Sequence, residues 1–374
     1  MKFYRPNTLF TFDDVLLVPQ YSEVKSRDDA SLKNGKLELD LPIIAANMDS
    51  VCEAKMAVTM YENGGLGIIH RFMSVENLKQ QIYQFYCHFG TTFDAEGNLP
   101  AEGPGYDNLA LSVGVNSSKE FIDLCVKYAR VICVDVAHGH SQHVVETIRY
   151  IHAKNPMTVI IAGNVATRGG VETLAKAGAD IVKVGVGPGS LCQTRLVTGH
   201  GSPQLSAVEE CAKAARQLNV EIIADGGIRN SGDIAKCLAV GADYVMLGGL
   251  LAGTDETPGE WSGGCDKRGR PLPTHKQHKT FRGMASLEAQ VNFGRDPSKV
   301  TPEGVQRLVE RKGPVSEVLR LLAGGLRSAL SYSGAFTIKE FQEKATFVRV
   351  TPAVLIENTP HGLLNTGNGL PKSQ

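Results

Sequence analysis

One cysteine stands in a setting suited to covalent chemistry. Cys192 lies in the glycine-rich loop 185–195, directly after the apolar run Ile181–Val184. Glycine tolerates positive φ and lets a ligand approach the main chain closely, and a thiolate is a strong nucleophile. A free cysteine is more often a small buried hydrophobic residue, which is what we expect of the other seven. For Cys192, with Ser190 and Thr194 beside it, we predict a nucleophile next to a phosphate or ion site.

Two pairs of glycines supply a candidate phosphate site. Gly226 and Gly227 follow Asp225, and the pair Gly248–Gly249 follows the next apolar run. Consecutive glycines let backbone N–H groups converge on an oxyanion, and Ser190 would add a hydroxyl donor. Because Asp225 would repel a phosphate, we expect its carboxylate to accept hydrogen bonds from ribose hydroxyls. Phosphate and ribose together predict a nucleotide site.

The elements that must position these groups are short apolar runs that alternate with amphipathic helical stretches. Continuous apolar runs indicate parallel strands that are covered on both faces. Eight strand–helix units over about 250 residues are typical of a (β/α)8 TIM barrel of the α/β class. A doubly wound sheet is the alternative, but its G-x-G-x-x-G fingerprint after the first strand is missing. The eight predicted strands are 42–48, 65–70, 109–115, 131–135, 159–164, 181–185, 221–227 and 244–249.

Polar residues collect at the carboxyl ends of these predicted strands, where the active sites of barrels lie. Core filling accounts for one or two such residues but not for a whole set, so we expect a functional cluster there. Lys183, inside the sixth predicted strand, either orients Asn164 or packs in the barrel interior. The set comprises Asn47, Asp49, His70, Asp135, His138, His140, Asn164, Cys192 and Asp225.

Composition argues against several other classes of function. Lys plus Arg and Asp plus Glu both total 39, so no net field draws the chain to nucleic acid or to an anionic membrane. The apolar runs fall far short of the ~20 residues that span a bilayer, and the first residues do not resemble a signal peptide. The eight cysteines form no C-x-x-C pair, which argues against a zinc site and a disulfide framework. We therefore expect a cytoplasmic protein with reduced thiols.

Two segments fall outside the strand–helix repeat. Residues 88–108 are rich in Gly, Pro and acidic residues and are too few for a domain. Residues 254–312 form a hydrophilic insertion after the eighth strand; such insertions serve as lids or binding loops, or else are mobile and without function. We predict a single catalytic domain over 1–374, with a mobile flap at 254–312 and a C-terminal tail at 352–374.

In its motifs the chain resembles the IMP dehydrogenase/GMP reductase family along almost its whole length. The resemblance implies a TIM barrel that binds a purine nucleotide and assembles as a homotetramer. It also implies that paired regulatory modules of the cystathionine-synthase (CBS) type are absent from 88–108. The matching segments are TFDDVLLVP (11–19), AANMD (45–49), DVAHGHS (135–141), AGNV (162–165), GPGSLC (187–192), DGG (225–227) and FRGM (281–284).

The resemblance also implies roles for individual residues. Cys192 would bond covalently to C2 of the purine, and Thr194 and Glu303 would form a catalytic pair. The implied substrate-binding positions are Met48, Ser190, Asp225, Gly226, Gly227, Gly248, Gly249, Gly283 and Met284. The candidate cofactor positions are Asp135, His70, Arg71 and Asn164. His70 and Arg71 could instead stabilise the thiolate or have a structural role. A monovalent cation such as potassium would bind backbone carbonyls of Gly187, Gly189 and Cys192.

The family has two branches, and local features favour the reductase. The dehydrogenase oxidises IMP with NAD, whereas the reductase converts GMP to IMP and ammonia with NADPH. Asn47 precedes the methionine as in reductases, and Gly249 stands where dehydrogenases usually have Ser. Arg295–Asp296 replaces the Arg-Tyr pair of the dehydrogenase flap. Thr194 and Glu303 match the reductase pair, since a carboxylate bonded to a hydroxyl can pass a proton to a departing amine.

Two other functions stay open at this point. Residues 347–361 resemble the tails of dehydrogenases, and Glu303 has a counterpart in dehydrogenases as well, so IMP dehydrogenase is the alternative. A third class is a regulatory protein that binds purine nucleotides without turnover, but intact Cys192, Thr194 and Asp135 argue against it. We therefore predict a GMP reductase with NADPH as cofactor (alternatively NAD) and with GMP and IMP as its small-molecule partners.

Overall fold

The computed structural model describes residues 8–91, 105–263 and 277–359. Eight parallel strands close into a barrel, in which each strand pairs with the next and the last pairs with the first. All eight strand predictions, and with them the (β/α)8 fold, are confirmed. The barrel strands are β2 (Ile43–Ala45), β3 (Leu66–Ile69), β4 (Ala110–Val113), β5 (Val131–Asp135), β6 (Val159–Val165), β7 (Ile181–Val184), β8 (Glu221–Asp225) and β9 (Tyr244–Leu247).

Helices cover the outside of the barrel. Several begin at a Ser or Thr whose side chain accepts a backbone N–H of the first turn, as Ser118 does from Phe121 and Thr167 from Gly170. Gly178 ends one of them in the left-handed region at φ 110°. The helices are α1 (Ala54–Glu62), α2 (Val75–His88), α3 (Lys119–Tyr128), α4 (Gln142–Lys154), α5 (Arg168–Ala177), the short α6 (Thr194–Thr198), α7 (Gln204–Leu218), α8 (Ser231–Ala239) and α10 (Val315–Tyr332).

A turn closes the amino end of the barrel. The turn Asn34–Leu39 packs its leucines against the apolar side chains of the barrel interior. The Leu37 N–H donates to the Tyr244 hydroxyl at 2.9 Å, and that hydroxyl donates to a Glu221 carboxylate oxygen at 3.0 Å. The other Glu221 oxygen accepts the Lys36 N–H at 2.7 Å. At this end, the polar side chains of the strands thus form hydrogen bonds with each other and with the main chain of the turn.

Two units of the barrel repeat the sequence Gly-Ala-Asp just before a strand. The Asp180 carboxylate accepts the Ile160 N–H at 2.8 Å, and the Asp243 carboxylate accepts the Ile222 N–H at 2.8 Å. Each carboxylate therefore ties the start of its own strand to the strand before it. Burial raises the pKa of Asp243 to about 7.

Two antiparallel ribbons lie outside the barrel, and the sequence analysis predicts neither. β1 (Val15–Leu17) pairs with β12 (Phe347–Arg349), which joins the two terminal regions of the chain. Within the insertion, β10 (His278–Arg282) pairs with β11 (Gln306–Glu310). The insertion is therefore partly a hairpin rather than an irregular loop. The remaining helices are α9 (Leu287–Asn292), α11 (Ile338–Lys344) and α12 (Val354–Glu357).

Some predictions concern parts of the chain that lie outside the described residues. These parts are most of 88–108, residues 264–276 of the predicted flap, and residues 360–374 of the predicted tail. The mobility of the flap and the single-domain assignment therefore stay predictions. Within 8–91, 105–263 and 277–359 no CBS-type module is present. Across the same three ranges, no helix has the length and apolar character that a bilayer crossing requires.

Candidate active site

A cavity of about 620 Å³ opens at the carboxyl end of the barrel strands. The structure brings nearly all of the sequence-predicted site residues together on its walls. They are Met48, Arg71, Asp135, Asn164, Gly187, Gly189, Ser190, Cys192, Thr194, Asp225, Gly226, Gly227, Gly248, Gly249, Gly283, Met284 and Glu303.

Cys192 is exposed in this cavity and stands at one end of a short polar chain. Its sulfur contacts the Thr194 hydroxyl at 3.2 Å, and that hydroxyl donates to Oε2 of Glu303 at 2.8 Å. The backbone N–H of Thr194 also points at the sulfur, at 3.5 Å. A proton can therefore pass between the thiol and a carboxylate through one hydroxyl.

The insertion delivers Glu303 to the cysteine loop through main-chain pairing. The Gln193 N–H donates to the backbone carbonyl of Glu303 at 2.7 Å. The Val305 N–H donates to the carbonyl of the residue before Cys192 at 3.0 Å, and Gly304 forms a bridge with Cys192 itself. A carboxylate 109 positions from Thr194 in the sequence is thereby fixed beside the thiol.

The start of the insertion is also fixed to the barrel. Arg282 pairs with Asp49, which follows β2, and its Nε lies 2.9 Å from Oδ2. The Arg282 N–H donates to the Ser50 hydroxyl at 3.2 Å, and the Gln290 side chain donates to the Met284 carbonyl at 2.6 Å. These contacts hold the main chain of 283–284 against the cavity.

A buried lysine forms the floor of the site. Lys183 Nζ donates to Asp135 at 2.6 Å and to Oδ2 of Asp225 at 3.2 Å. Burial alone would lower the pKa of Lys183, but the two carboxylates raise it well above its ordinary value. Burial would likewise raise the pKa of Asp135, yet Lys183 and Arg71 bring it below its usual range. Asn164 donates to the same Oδ2 of Asp225 at 2.8 Å. Lys183 and Asn164 therefore share an acceptor, and Lys183 orients Asn164 only through Asp225.

The predicted phosphate-binding residues come together on one wall. Gly226 and Gly227 have φ angles of 94° and 79°, which favour glycine. A Cβ added at Gly226 would lie 3.0 Å from Pro188, and one added at Gly249 would lie 3.4 Å from the Ser190 hydroxyl. The loops that follow β7, β8 and β9 therefore meet, and the glycines leave room between them.

His70 does not line the cavity. Its side chain is buried, Nε2 donates to Glu53 at 3.1 Å, and Nδ1 accepts the Phe72 N–H at 3.1 Å. Because Glu53 can only accept, the ring carries its proton on Nε2. Both ring nitrogens are thus engaged within the protein. The geometry makes His70 a support for the turn, and Arg71 is the member of the pair that lines the cavity.

Two buried polar atoms of the cavity residues have no hydrogen-bond partner among the described residues. They are Nε of Arg71 and Oε1 of Gln204, whereas the Asn47 side chain lies beside Asp135 and helps to lower its pKa. Burial lowers the pKa of Arg71, an effect that nearby Asp135 opposes. An unpaired buried polar atom is destabilising, so such atoms mark places where a bound molecule can supply the partner. Gln204 is not among the predicted residues, because a glutamine at a helix start carries no chemical signature.

The predicted cation site consists of main-chain carbonyls. The Gly189 carbonyl accepts the Cys192 N–H at 3.0 Å, and Gly187 has a φ of 87° with the Arg195 side chain packed against it. A carbonyl that accepts one hydrogen bond keeps a second lone pair, so the Gly189 oxygen can still bind a cation. No group of three or more His, Cys, Asp or Glu side chains placed to bind a metal occurs in the described ranges.

The fold and the site define a (β/α)8-barrel enzyme class in which an exposed cysteine lies at the carboxyl end of the strands. The chain belongs to the IMP dehydrogenase/GMP reductase family, because a family model described as "IMP dehydrogenase / GMP reductase domain" matches residues 9–361. The resemblance seen in the sequence is confirmed. Members of this family are oxidoreductases of purine metabolism that use a nicotinamide cofactor.

Similar proteins carry the names of both branches. The chain is 36% identical to inosine-5'-monophosphate dehydrogenase of Aquifex aeolicus, over 94% of this chain and 95% of that protein. It is 37% identical to the enzyme of the same name from Cryptosporidium parvum, over 94% of each. A crystal structure of a Cys-to-Ala variant of Trypanosoma brucei GMP reductase, in complex with guanosine 5'-monophosphate, matches with a TM-score of 0.81 at 32% identity. That match covers 96% of this chain and 98% of the other.

Proposed function

We propose that the protein is a GMP reductase, which converts GMP to IMP and ammonia with NADPH. The observation that carries the proposal is the chain of contacts from Cys192 through Thr194 to Glu303, at 3.2 and 2.8 Å. Reductive deamination requires a group that protonates the departing amine. A carboxylate linked through a hydroxyl to the immediate surroundings of the thiol is suited to that task.

The same three residues account for the proton movements of such a reaction. The Cys192 proton passes through the Thr194 hydroxyl to Glu303, and the thiolate attacks C2 of the purine to form a carbon–sulfur bond. The amine leaves C2 as ammonia after the proton returns through Thr194. NADPH, when bound, supplies the hydride that C2 receives. The carbon–sulfur bond then breaks, its electrons return to sulfur, and IMP is released.

The walls of the cavity fit the other parts of the nucleotide. The glycine pairs Gly226–Gly227 and Gly248–Gly249, with the Ser190 hydroxyl, would bind the phosphate. Asp225 has one oxygen engaged by Lys183 and Asn164 and keeps the other for the ribose hydroxyls. Met48, Gly283 and Met284 would flank the purine ring.

The residues proposed for the cofactor fit a dinucleotide in part. Arg71 is a mostly buried cation with an unpartnered Nε on the cavity wall, and a phosphate group of NADPH would supply the missing partner. Asp135, fixed by Lys183, would lie near the nicotinamide ribose. Asn164 is committed to Asp225 and to the Gly185 carbonyl at 2.9 Å, so we assign it a positioning role. NADPH as the cofactor and potassium at the carbonyl site stay predictions.

The position of Arg295 also supports the reductase. In dehydrogenases the arginine of the flap activates the water that hydrolyses the intermediate. Arg295 is exposed here, and the cavity wall formed by the described residues does not include it. The charge of Arg295 helps to lower the pKa of Arg71.

IMP dehydrogenase is the second candidate, because the similar curated proteins from Aquifex aeolicus, Bacillus subtilis and Cryptosporidium parvum all carry that name at 35–37% identity. In that reaction C2 of IMP would lose hydride to NAD while bonded to Cys192. Thr194 and Glu303 would then activate a water molecule rather than protonate an amine.

Two assays separate the candidates. The protein is mixed with GMP and NADPH in one cuvette and with IMP and NAD in another, and the absorbance of the reduced cofactor is followed. We expect consumption of NADPH in the first and no change in the second. Production of NADH in the second alone would establish the dehydrogenase. Nucleotide binding without turnover in either would favour the regulatory class. Sedimentation of the same sample tests the predicted homotetramer.

A further inference from the structure

The turn Gly248–Gly253 follows β9 and carries one glycine pair of the proposed phosphate site. The Gly248 carbonyl accepts the N–H groups of the residues three and four positions later, at 3.1 and 2.9 Å, so the chain makes one tight turn. The N–H groups of Gly249 and Leu250 have no acceptor among the described residues, and Gly249 lies beside Ser190 on the cavity wall. The turn therefore has donors to offer to an anion.

Lys312, just beyond the hairpin of the insertion, binds the other side of this turn. Its Nζ donates to the Gly249 carbonyl at 2.7 Å and to the Leu250 carbonyl at 3.0 Å. In a trans peptide the C=O and the N–H point in opposite directions. The peptide that joins Gly249 to Leu250 therefore directs its N–H away from the ammonium group. A cation on the carbonyl also polarises the peptide and strengthens that N–H as a donor.

We propose that Lys312 is a positioning residue for the nucleotide phosphate: it holds and polarises the turn after β9 from behind, so that the N–H groups of the turn face the phosphate. The inference rests on the nucleotide site of the proposed function and holds for GMP reductase and IMP dehydrogenase alike. Because Lys312 lies on the carbonyl side, it does not itself bind the phosphate.

The main chain around Lys312 links the turn to the insertion. The Lys312 N–H donates to the Gly253 carbonyl at 2.8 Å, and Thr254 forms a bridge with Gly313. The residue before Lys312, Arg311, pairs with Asp255 at 2.7 Å. The end of the hairpin that delivers Glu303 and the phosphate-binding turn are therefore one connected unit.

The charge on Lys312 is sensitive to its surroundings. Partial desolvation of its ammonium group lowers the pKa of Lys312 to about 8, although the residue as a whole is exposed, and no carboxylate lies within ion-pair distance of its Nζ among the described residues. Asp255 is engaged by Arg311 and, through its carbonyl, by Lys55, and Glu256 accepts the backbone N–H of Val315 at 2.8 Å. The other charged or titratable groups on the two strands of the hairpin are His278, Lys279, Arg282, Arg307 and Glu310. We therefore expect Lys312 to lose the charge that polarises the turn at a lower pH than an ordinary lysine would.

The test compares IMP with inosine, two ligands that differ only in the phosphate. The ratio of the inosine Kd to the IMP Kd, measured by calorimetry, shows how much the phosphate contributes to binding. Because both ligands carry the same base, a change in its protonation with pH affects both Kd values alike and leaves the ratio unchanged. We expect Lys312→Met to lower this ratio about tenfold at pH 7, and Lys312→Arg to keep most of it. Lys299→Met removes the same charge from an exposed part of the insertion and should leave the ratio unchanged.

The pH profile provides a second readout. It uses the wild type and Lys312→Arg, so it stays informative even if Lys312→Met folds poorly. The wild-type ratio should fall between pH 7 and 9.5, whereas the Lys312→Arg ratio should stay flat because arginine remains charged. An unchanged ratio in Lys312→Met, or an equal loss of inosine and IMP affinity, would overturn the proposal. If the wild type bound IMP and inosine with equal affinity, the proposed phosphate site would be wrong, and with it the role of Lys312. If the protein instead oxidised IMP with NAD, the proposed function would change to IMP dehydrogenase, but the role proposed for Lys312 would stand.

Discussion

The two ends of the barrel use carboxylates in opposite ways. At the amino end, Asp180 and Asp243 each accept a backbone N–H from the neighbouring strand and complete the hydrogen bonding of the sheet. At the carboxyl end, Asp135 and Asp225 share the buried Lys183 and line the cavity. Residues of one type thus serve the fold at one end and remain available to a ligand at the other.

The contrast extends to buried atoms without partners. Two such side-chain atoms among the described residues belong to Arg71 and Gln204 on the cavity wall, and another belongs to Thr158, next to the start of β6. Unsatisfied groups are destabilising and concentrate at sites of function. We therefore expect substitutions at the carboxyl end to change activity more than stability, and substitutions at the amino end to do the reverse.

The largest effect expected at the carboxyl end is that of Cys192→Ala. Turnover should fall by about 10,000-fold or more, because the nucleophile is lost. The affinity for IMP and the Tm should be kept, since the side chain is exposed and packs against little. Steady-state kinetics, calorimetry and thermal unfolding measure these three quantities. Cys87→Ala, at another exposed cysteine, is the matched control, and turnover retained in Cys192→Ala would rule out covalent catalysis.

Glu303→Gln tests the proton route at the same end. Release of ammonia from GMP should slow by about 100-fold or more, because the group that donates the proton is neutralised. Hydride transfer should slow much less when the intermediate is first formed from IMP and oxidised cofactor. Rapid mixing with detection of ammonia and of cofactor absorbance separates the two steps. Glu288→Gln, on an exposed face of the same insertion, serves as the control, and equal slowing of both steps would remove the proposed role.

At the amino end, Asp243→Asn should increase stability. Burial raises the pKa of Asp243 to about 7 from 3.8, so the folded state binds the proton more tightly than the unfolded state. The wild type therefore loses stability as the pH rises from about 4 to about 7, and between pH 5 and pH 8 this loss amounts to about 2–3 kcal/mol. The variant lacks this loss and keeps an oxygen for the Ile222 N–H. Urea unfolding at pH 5 and pH 8 measures the difference. A variant with the same pH dependence as the wild type would contradict this account, and kcat should not change.

The smallest effect is expected from Tyr244→Phe, also at the amino end. The substitution leaves the Leu37 N–H without its acceptor and removes a donor to Glu221, which should lower the free energy of unfolding by about 1–2 kcal/mol. The kcat/KM below the unfolding temperature should stay as in the wild type. Tyr332→Phe, at an exposed tyrosine, controls for the loss of a hydroxyl. A large loss of activity without a loss of stability would break the distinction between the two ends.

The barrel could be predicted from the sequence because its strands are short, apolar and buried on both faces. The hairpin of β10 and β11 gave no such signal: four of the five residues of β11 are exposed, and a periodic pattern needs a buried face. The pairing of β1 with β12 gave no signal for a similar reason, since each strand has only three residues and Val15 alone is buried. The elements that the sequence does not predict are therefore the two ribbons outside the barrel.

The site was predictable to the extent that residue type determines chemistry. A cysteine among glycines indicates a nucleophile, and an Asp-Gly-Gly turn indicates a site for ribose and phosphate. The structure brings both to one cavity. The direction of the His70 ring depends instead on Glu53, and the importance of Gln204 depends on an atom left unpaired. Such features arise from packing between distant segments, which no local pattern records.

Two of the contacts that fix the insertion to the barrel are Arg282 with Asp49 and Gly304 with Cys192. This arrangement limits how the length of the insertion can change over evolution. One residue gained or lost within 303–305 would shift the Glu303 carboxylate by about 3.3 Å and turn it to the opposite face of the ribbon. Additions and deletions within residues 294–299, all of which are exposed, would leave it beside the thiol. We therefore expect natural variation in length to accumulate there, while the turn 303–305 keeps its three residues.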